Sequence, residues 1–326
     1  GWGSCCGAVR QLRACHYSCT VPFSRTTRVS LSCARPGSSD SILGSRFGKP
    51  VLRSPYRGRR SRLIGLTATM AVDNDAVPLE PTKLLYFADT YKFDTSSEVL
   101  RVVKEDDRVA VVLRETNFYA QGGGQPSDVG VIVKNGSTFT VLDVRIKEGT
   151  VYHYGSFGDG EAFETGAQVT LNVDKERRLL HARLHSAGHL LDCCMTAAGY
   201  GPEKLVPTKG YHFPDAPYVE YNGKVDKAEH DLLIGRLNEE AAGLIAAGAK
   251  IRAEELDYDA AAAVCGGELP GYIAKGSAPR IVTIGEDIGC PCGGTHVADA
   301  SEIRGMQITG IRVKKGVTRV SYTIAE

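Results

Sequence analysis

The chain has no run of about 18 apolar residues and no secretory hydrophobic segment, so neither a membrane-spanning helix nor an exported protein is expected. Internal repeats and low-complexity tracts are missing beyond residue 75, which excludes a solenoid or a fibrous array. Of the ten cysteines, five fall before residue 34. The other five, Cys193, Cys194, Cys265, Cys290 and Cys292, are too few and too unevenly spaced for a disulfide scaffold. The expectation is a soluble protein of a reducing compartment, without a membrane partner.

Acidic residues are nearly absent from the first 69 positions, where twelve Lys and Arg accompany the single Asp40. The remainder carries 27 basic against 37 acidic residues, so the net charge of +1 conceals segments of about +11 and −10. The leader is rich in Ser and Arg and lacks hydrophobic periodicity, and residues 1–75 are expected to be disordered. Two readings of it stand open. It suits a transit peptide, which would place the protein in a chloroplast or mitochondrion. Alternatively, Met70-Ala71-Val72 reads as an initiation site, the leader being a translated upstream region and the protein cytoplasmic.

What is present falls into two parts. Over residues 76–172, short alternating runs such as Val109–Leu113, Val129–Val133, Phe139–Val144 and Val169–Val173 predict a small barrel-like β domain. Asn135-Gly136 marks a hairpin between two of them. Residues 173–326 read as mixed helix and strand, with helices on one face of an antiparallel sheet, so the fold class is α+β. Asp174 caps a predicted helix running to about Ala198, on which Leu180, Leu184, Ala187 and Leu191 face the core. A second helix is predicted from Lys227 to Ala247, with Asp226 as cap and Glu229 completing a capping box.

Two histidine-bearing pairs carry the chemistry. His185 and His189 stand four apart on the first helix and so share one face. Cys292 and His296 flank a glycine turn that can fold tightly around an ion. One cysteine and three histidines make a tetrahedral zinc set, with Cys290 the rival thiolate. A metalloprotease of the H-E-x-x-H type is excluded, because Ser186 stands where the glutamate base must be. Asp192 is either a carboxylate behind the metal ligands or a solvated helix residue. A third segment, Gly122-Gly123-Gly124-Gln125-Pro126, can be neither regular helix nor central strand. It is a surface hairpin loop, or a bare backbone that approaches a ligand or another chain.

Taken in order, Asn117-Phe118-Tyr119 with Gly122–Asp128, Val151-Tyr152-His153, Val173-Asp174 with Arg177-Arg178, the two histidine pairs and Lys209-Gly210 resemble a known family. They are similar to free-standing alanyl-tRNA editing proteins of the AlaX family, medium-length type, and to the editing domain of alanyl-tRNA synthetase. The resemblance implies a glycine-rich β-barrel domain followed by an α/β editing domain, with zinc on His185, His189, Cys292 and His296. It also implies hydrolysis of Ser-tRNA(Ala), and of Gly-tRNA(Ala) in some members, with the acceptor end of tRNA as partner to a monomer or weak oligomer. On this basis the substrate pocket comprises Gly188, Thr208, Lys209, Gln125, Gly123 and Gly124. The chain departs from the pattern at Gly188, where synthetase domains often carry Thr, and at Thr208, where they carry Gln. The lost methyl and hydroxyl at position 188 imply a weaker preference for serine over alanine. No catalytic base is apparent, and zinc either activates water or orients the aminoacyl ester. The alternatives are a threonyl-type editing domain acting on Ser-tRNA(Thr) and a zinc-stabilised tRNA-binding module without catalysis. Arg312, Lys314, Lys315 and Arg319 are the candidate tRNA contacts in an otherwise acidic body.

Overall fold

The computed structural model describes residues 79–105 and 107–325. The leader, residues 1–75, lies outside the described residues. The described chain is mixed α+β.

A short parallel pair, β1 (Lys83–Leu84) and β4 (Glu115–Thr116), precedes a closed six-stranded antiparallel barrel. The barrel strands are β2 (Asp94–Glu105), β3 (Arg108–Leu113), β5 (Gly130–Lys134), β6 (Ser137–Lys147), β7 (Thr150–Phe157) and β8 (Gln168–Val173), paired in the order β2-β3-β7-β6-β5-β8. Inward residues such as Val99, Leu113, Phe118, Ile132, Phe139 and Leu171 fill the interior completely, so the barrel is a packed core without a channel. Asn135 (φ 46°) and Gly136 (φ 89°) close the β5–β6 hairpin in the left-handed conformations its tight turn needs. His153, from the matched Val151-Tyr152-His153 segment, is a barrel core residue. Its Nδ1 donates to the Val111 carbonyl and its Nε2 accepts from the Thr116 hydroxyl, both at 2.8 Å.

Helix α1 (Lys175–Ala197) starts at Asp174, whose side chain accepts from the Arg177 amide at 3.0 Å. β9 (Val206–Tyr211) and β10 (Tyr218–Asn222) follow, then α2 (His230–Ala247), β11 (Ile251–Glu255), α3 (Tyr258–Val264), β12 (Arg280–Ile284), β13 (Cys290–Pro291), β14 (Met306–Lys314) and β15 (Val317–Ile324). An antiparallel sheet in the order β14-β15-β10-β9 packs on α1 and α2, burying Leu184, Ala187 and Leu191 against Leu237, Val320 and Tyr322. A smaller sheet runs β11-β12-β13.

The predicted start of the second helix is corrected. Lys227–Glu229 winds as a 3-10 turn, Asp226 makes no side-chain cap, and α2 begins at His230. The tighter winding has the Glu229 amide bond the Asp226 carbonyl at 2.9 Å, which satisfies a donor that a cap would otherwise serve. At the other end Gly248 takes a left-handed φ of 66°, the usual helix stop.

Barrel loop and helix α1 are joined by a fully buried ion pair. Arg178 donates through Nε and Nη2 to the Asp128 carboxylate, through Nη1 to the Thr90 carbonyl at 2.9 Å, and through Nη2 to the Asn117 carbonyl. The Asp128 carboxylate also accepts from the Tyr119 amide at 2.6 Å. With every guanidinium edge engaged, the desolvation of both charges is offset, and the loop bearing the glycines is fixed against the helix bearing the histidines.

Candidate metal centre

Helix α1 places the rings of His185 and His189 5.1 Å apart and nearly parallel, one turn above the other. The segment after β13 brings Cys292 and His296 onto them. The Cys292 sulfur lies 3.5 Å from His185 Nε2 and 3.4 Å from His296 Nε2. One ligand atom from each of His185, His189, Cys292 and His296 lies within 4.8 Å of the others, and all four residues are buried. Nitrogen and sulfur donors converging in this number are the set that suits a tetrahedral ion.

The outward-facing nitrogens are held as well. His185 Nδ1 meets Gln125 Oε1 at 2.8 Å, His189 Nδ1 meets the Cys290 sulfur at 3.2 Å, and His296 Nδ1 meets the Ser186 hydroxyl at 3.5 Å. For Gln125 the assignment is forced. Its Oε1 also accepts from the Thr295 amide at 3.1 Å, and its Nε2 donates to the Thr295 hydroxyl at 2.8 Å. An oxygen that accepts from a backbone N–H can only accept from the imidazole too, so His185 is protonated on Nδ1 and Nε2 keeps its lone pair for an ion.

Burial lowers the proton affinity of every ring in the cluster. Desolvation holds His185 and His296 well below the usual histidine range and takes His189 down to about 4. Neutral imidazole is the state that ligation requires. Arg280 donates to the carbonyls of Cys292 (2.8 Å) and Gly294 (2.9 Å), fixing the glycine turn. At Gly294 a β-carbon would collide with the His185 ring and sit 3.0 Å from Gln125 Oε1, so the turn has room only for glycine.

The predicted pocket residues are distributed unevenly around this centre. Gly124 (φ 79°) and Gly188 lie against it, and Gln125 is buried behind His185 with its amide fully engaged. Gly123 is in the same loop with φ 52°. Thr208 donates its hydroxyl to the Glu220 carbonyl at 3.0 Å, and Lys209 is exposed on β9 opposite Glu220. Asp192 accepts from the Tyr221 hydroxyl at 2.8 Å and lines a cavity of about 160 Å³ with His189, Cys193, Thr196 and Cys290. The space beside Gly188 is occupied, because a β-carbon there would collide with the ring of His212. Sequence reasoning missed His212, Tyr322, Thr295 and Arg280. Thr295 and Arg280 sit in or beside the matched Cys292–His296 turn, whereas nothing in the spacing announces His212.

Residues 69–177 match the family described as tRNA synthetases class II (A), and residues 280–321 match the threonyl and alanyl tRNA synthetase second additional domain. The alanyl-tRNA editing protein AlaX-L of Pyrococcus horikoshii is 32% identical over 244 residues, 73% of this chain and 57% of that protein. The alanine–tRNA ligase of Caldivirga maquilingensis is 29% identical over 306 residues, 88% of this chain and 30% of the ligase. The ligase of Halobacterium salinarum is 30% identical over 258 residues, 77% of this chain and 27% of the ligase. The chain thus spans little more than half of the editing protein and under a third of the ligases. Two stretches of the chain thus match tRNA-synthetase-related families. More narrowly, the chain is homologous to the alanyl-tRNA editing protein AlaX-L and to the editing region of alanyl-tRNA synthetase.

Proposed function

We propose that this protein is a trans-acting editing hydrolase that removes the wrong amino acid from tRNA(Ala), with Ser-tRNA(Ala) as its principal substrate and Gly-tRNA(Ala) as a second. The observation that carries the reading is the buried cluster of His185, His189, Cys292 and His296, in a chain that is 32% identical over 244 residues to the alanyl-tRNA editing protein AlaX-L. In the reaction, water adds to the ester carbonyl, the bond to the terminal ribose oxygen breaks, and free amino acid and tRNA leave.

The four clustered residues would hold zinc, which on binding supplies a Lewis acid and an anchor for the aminoacyl group. The protein's own side chains do the rest. Gln125 keeps the His185 lone pair directed inward, Arg280 fixes the glycine turn through the Cys292 and Gly294 carbonyls, and burial keeps the imidazoles neutral. Positioning is the main source of rate in this reading, with the ribose hydroxyl of the substrate assisting.

The tRNA backbone would lie along a cleft of about 320 Å³ lined by Arg312, Lys314, Lys315 and Arg319. Arg319 is partly engaged by Glu220 at 2.7 Å, so the other three carry most of the attraction for phosphate. No described helix is long and apolar enough to cross a membrane.

A deacylation assay of the zinc-loaded protein on Ser-tRNA(Ala), Gly-tRNA(Ala) and Ser-tRNA(Thr) tests the reading. Release of serine from tRNA(Ala) is expected. Action on Ser-tRNA(Thr) alone would support a threonyl-type enzyme, and tRNA binding without release would indicate a module that has lost catalysis.

A further inference from the structure

Four imidazoles, one more than the ligand set needs, meet at the cluster. His212 follows β9, is buried, and stacks on His185 with ring centroids 4.4 Å apart and planes 22° apart. Three glycines make room for it. A β-carbon at Gly188 would lie 2.7 Å from its Nδ1, one at Gly210 2.8 Å from its Cε1, and one at Gly124 3.3 Å from its Cδ2. The ring fills the volume into which side chains at those positions would project.

Its hydrogen bonds run in a fixed direction. The Tyr322 hydroxyl donates to the Leu184 carbonyl at 2.9 Å, and a carbonyl cannot donate in return. With its only proton committed there, the Tyr322 oxygen accepts from His212 Nδ1 at 2.7 Å. The His212 amide donates to the Gly124 carbonyl at 2.8 Å. Gly124 immediately precedes Gln125, which holds Nδ1 of His185. Leu184 immediately precedes His185 on α1. One residue therefore stacks on the face of the His185 ring, bonds the loop that carries its Nδ1 acceptor, and reaches the α1 backbone at Leu184 through the Tyr322 hydroxyl.

We propose that His212 is a positioning residue for the metal ligand His185, clamping its ring from the face while Gln125 holds it in the plane. Packing alone would require neither the tyrosine relay nor three glycines drawn from three separate segments. The inference rests on the metal reading above. Partners behind a ligating histidine typically change metal affinity by about 10–100-fold when removed, and a ring pinned on two sides is expected to fall in that range.

The test uses the full chain, zinc titration against a chromophoric chelator, and the visible absorption of the cobalt-loaded protein. His212→Ala is expected to weaken zinc binding by about 10–100-fold and to shift the cobalt bands. His212→Phe keeps the ring volume but loses the Nδ1 donor, and a smaller weakening is expected. Gly188→Ala removes nothing from the site, yet its methyl displaces the His212 ring and should reproduce the His212→Ala result. Unchanged zinc affinity and cobalt spectrum in folded His212→Ala would overturn the proposal. If that variant does not fold, His212→Phe decides on the same two readouts. A wild-type protein that binds neither metal overturns the metal reading along with this one, whereas tight wild-type binding with indifferent variants overturns only this one.

Discussion

The side-chain oxygen of Gln125 lies 2.8 Å from Nδ1 of His185 and 3.1 Å from the Thr295 amide, joining the barrel's glycine loop to both histidine-bearing segments. Gln125→Leu keeps the size of the side chain but leaves the buried Thr295 amide without its acceptor and His185 without its tautomer lock. Zinc affinity should fall about 10–100-fold while the far-ultraviolet spectrum stays unchanged. Undiminished affinity would show that the amide does not set the state of His185.

One zinc per chain is expected from metal analysis, lost in Cys292→Ala. In Cys290→Ala the ion should be retained at lower affinity, because the sulfur at 3.2 Å from His189 Nδ1 stands behind a ligand. Full retention in the first variant with loss in the second would exchange the two roles.

For Gly188→Thr the selectivity expected from sequence gives way to a steric outcome. The added side chain meets His212 and the Tyr322 hydroxyl, the latter 3.1 Å from a β-carbon. The variant should melt lower and bind zinc more weakly, with no gain in serine-to-alanine discrimination. A sharper discrimination at unchanged melting temperature would mean that His212 moves aside freely.

Arg178→Ala would strand the buried Asp128 carboxylate. Breaking such a pair by removing one partner typically costs about 3–5 kcal/mol, and a loss of that size in urea unfolding is expected. A change below about 1 kcal/mol would show that water reaches Asp128 in the variant.

The pH profile of stability should carry the signature of His153, which burial pushes down to about 4. Unfolding returns this ring to water, where it protonates near pH 6.5, so the unfolded state binds the extra proton between the two values. Its contribution is therefore complete above about pH 6.5 and declines as the pH falls toward about 4. The other buried histidines add slopes of the same sign in the metal-free protein, and His153→Gln should make the total shallower by about one proton. An equal slope in the variant would assign the effect to the other buried rings.

Local signals were legible wherever one segment decided the outcome. The Asp174 cap, the Asn135-Gly136 turn and the four-residue spacings of His185/His189 and Cys292/His296 each follow from neighbours along the chain. The capping box at Asp226 failed because a 3-10 turn satisfies the same amide at no steric cost. Lys209 was expected at the pocket because Lys209-Gly210 matches a motif of the resembled family. The bulge at Thr208 and the alternation of the strand leave its side chain exposed opposite Glu220. His212 was illegible for a different reason. Its partners at 124, 185, 188 and 322 come from four separate segments, and only the tertiary fold brings them together.

The hydrogen bond between Gln125 and Thr295 spans 170 residues, and that span has a consequence in time. At synthesis rates of about 5–20 residues per second, roughly 10 to 30 seconds separate the two partners as the chain leaves the ribosome. For the part of that interval after residue 197 the barrel and α1 are already made, while the turn bearing Cys292 and His296 does not yet exist. The cluster therefore cannot serve as the seed around which the rest condenses. It is completed only after the barrel and α1, and a ribosome that stalls between residues 197 and 292 releases a polypeptide with a complete barrel, a complete histidine helix and no centre between them.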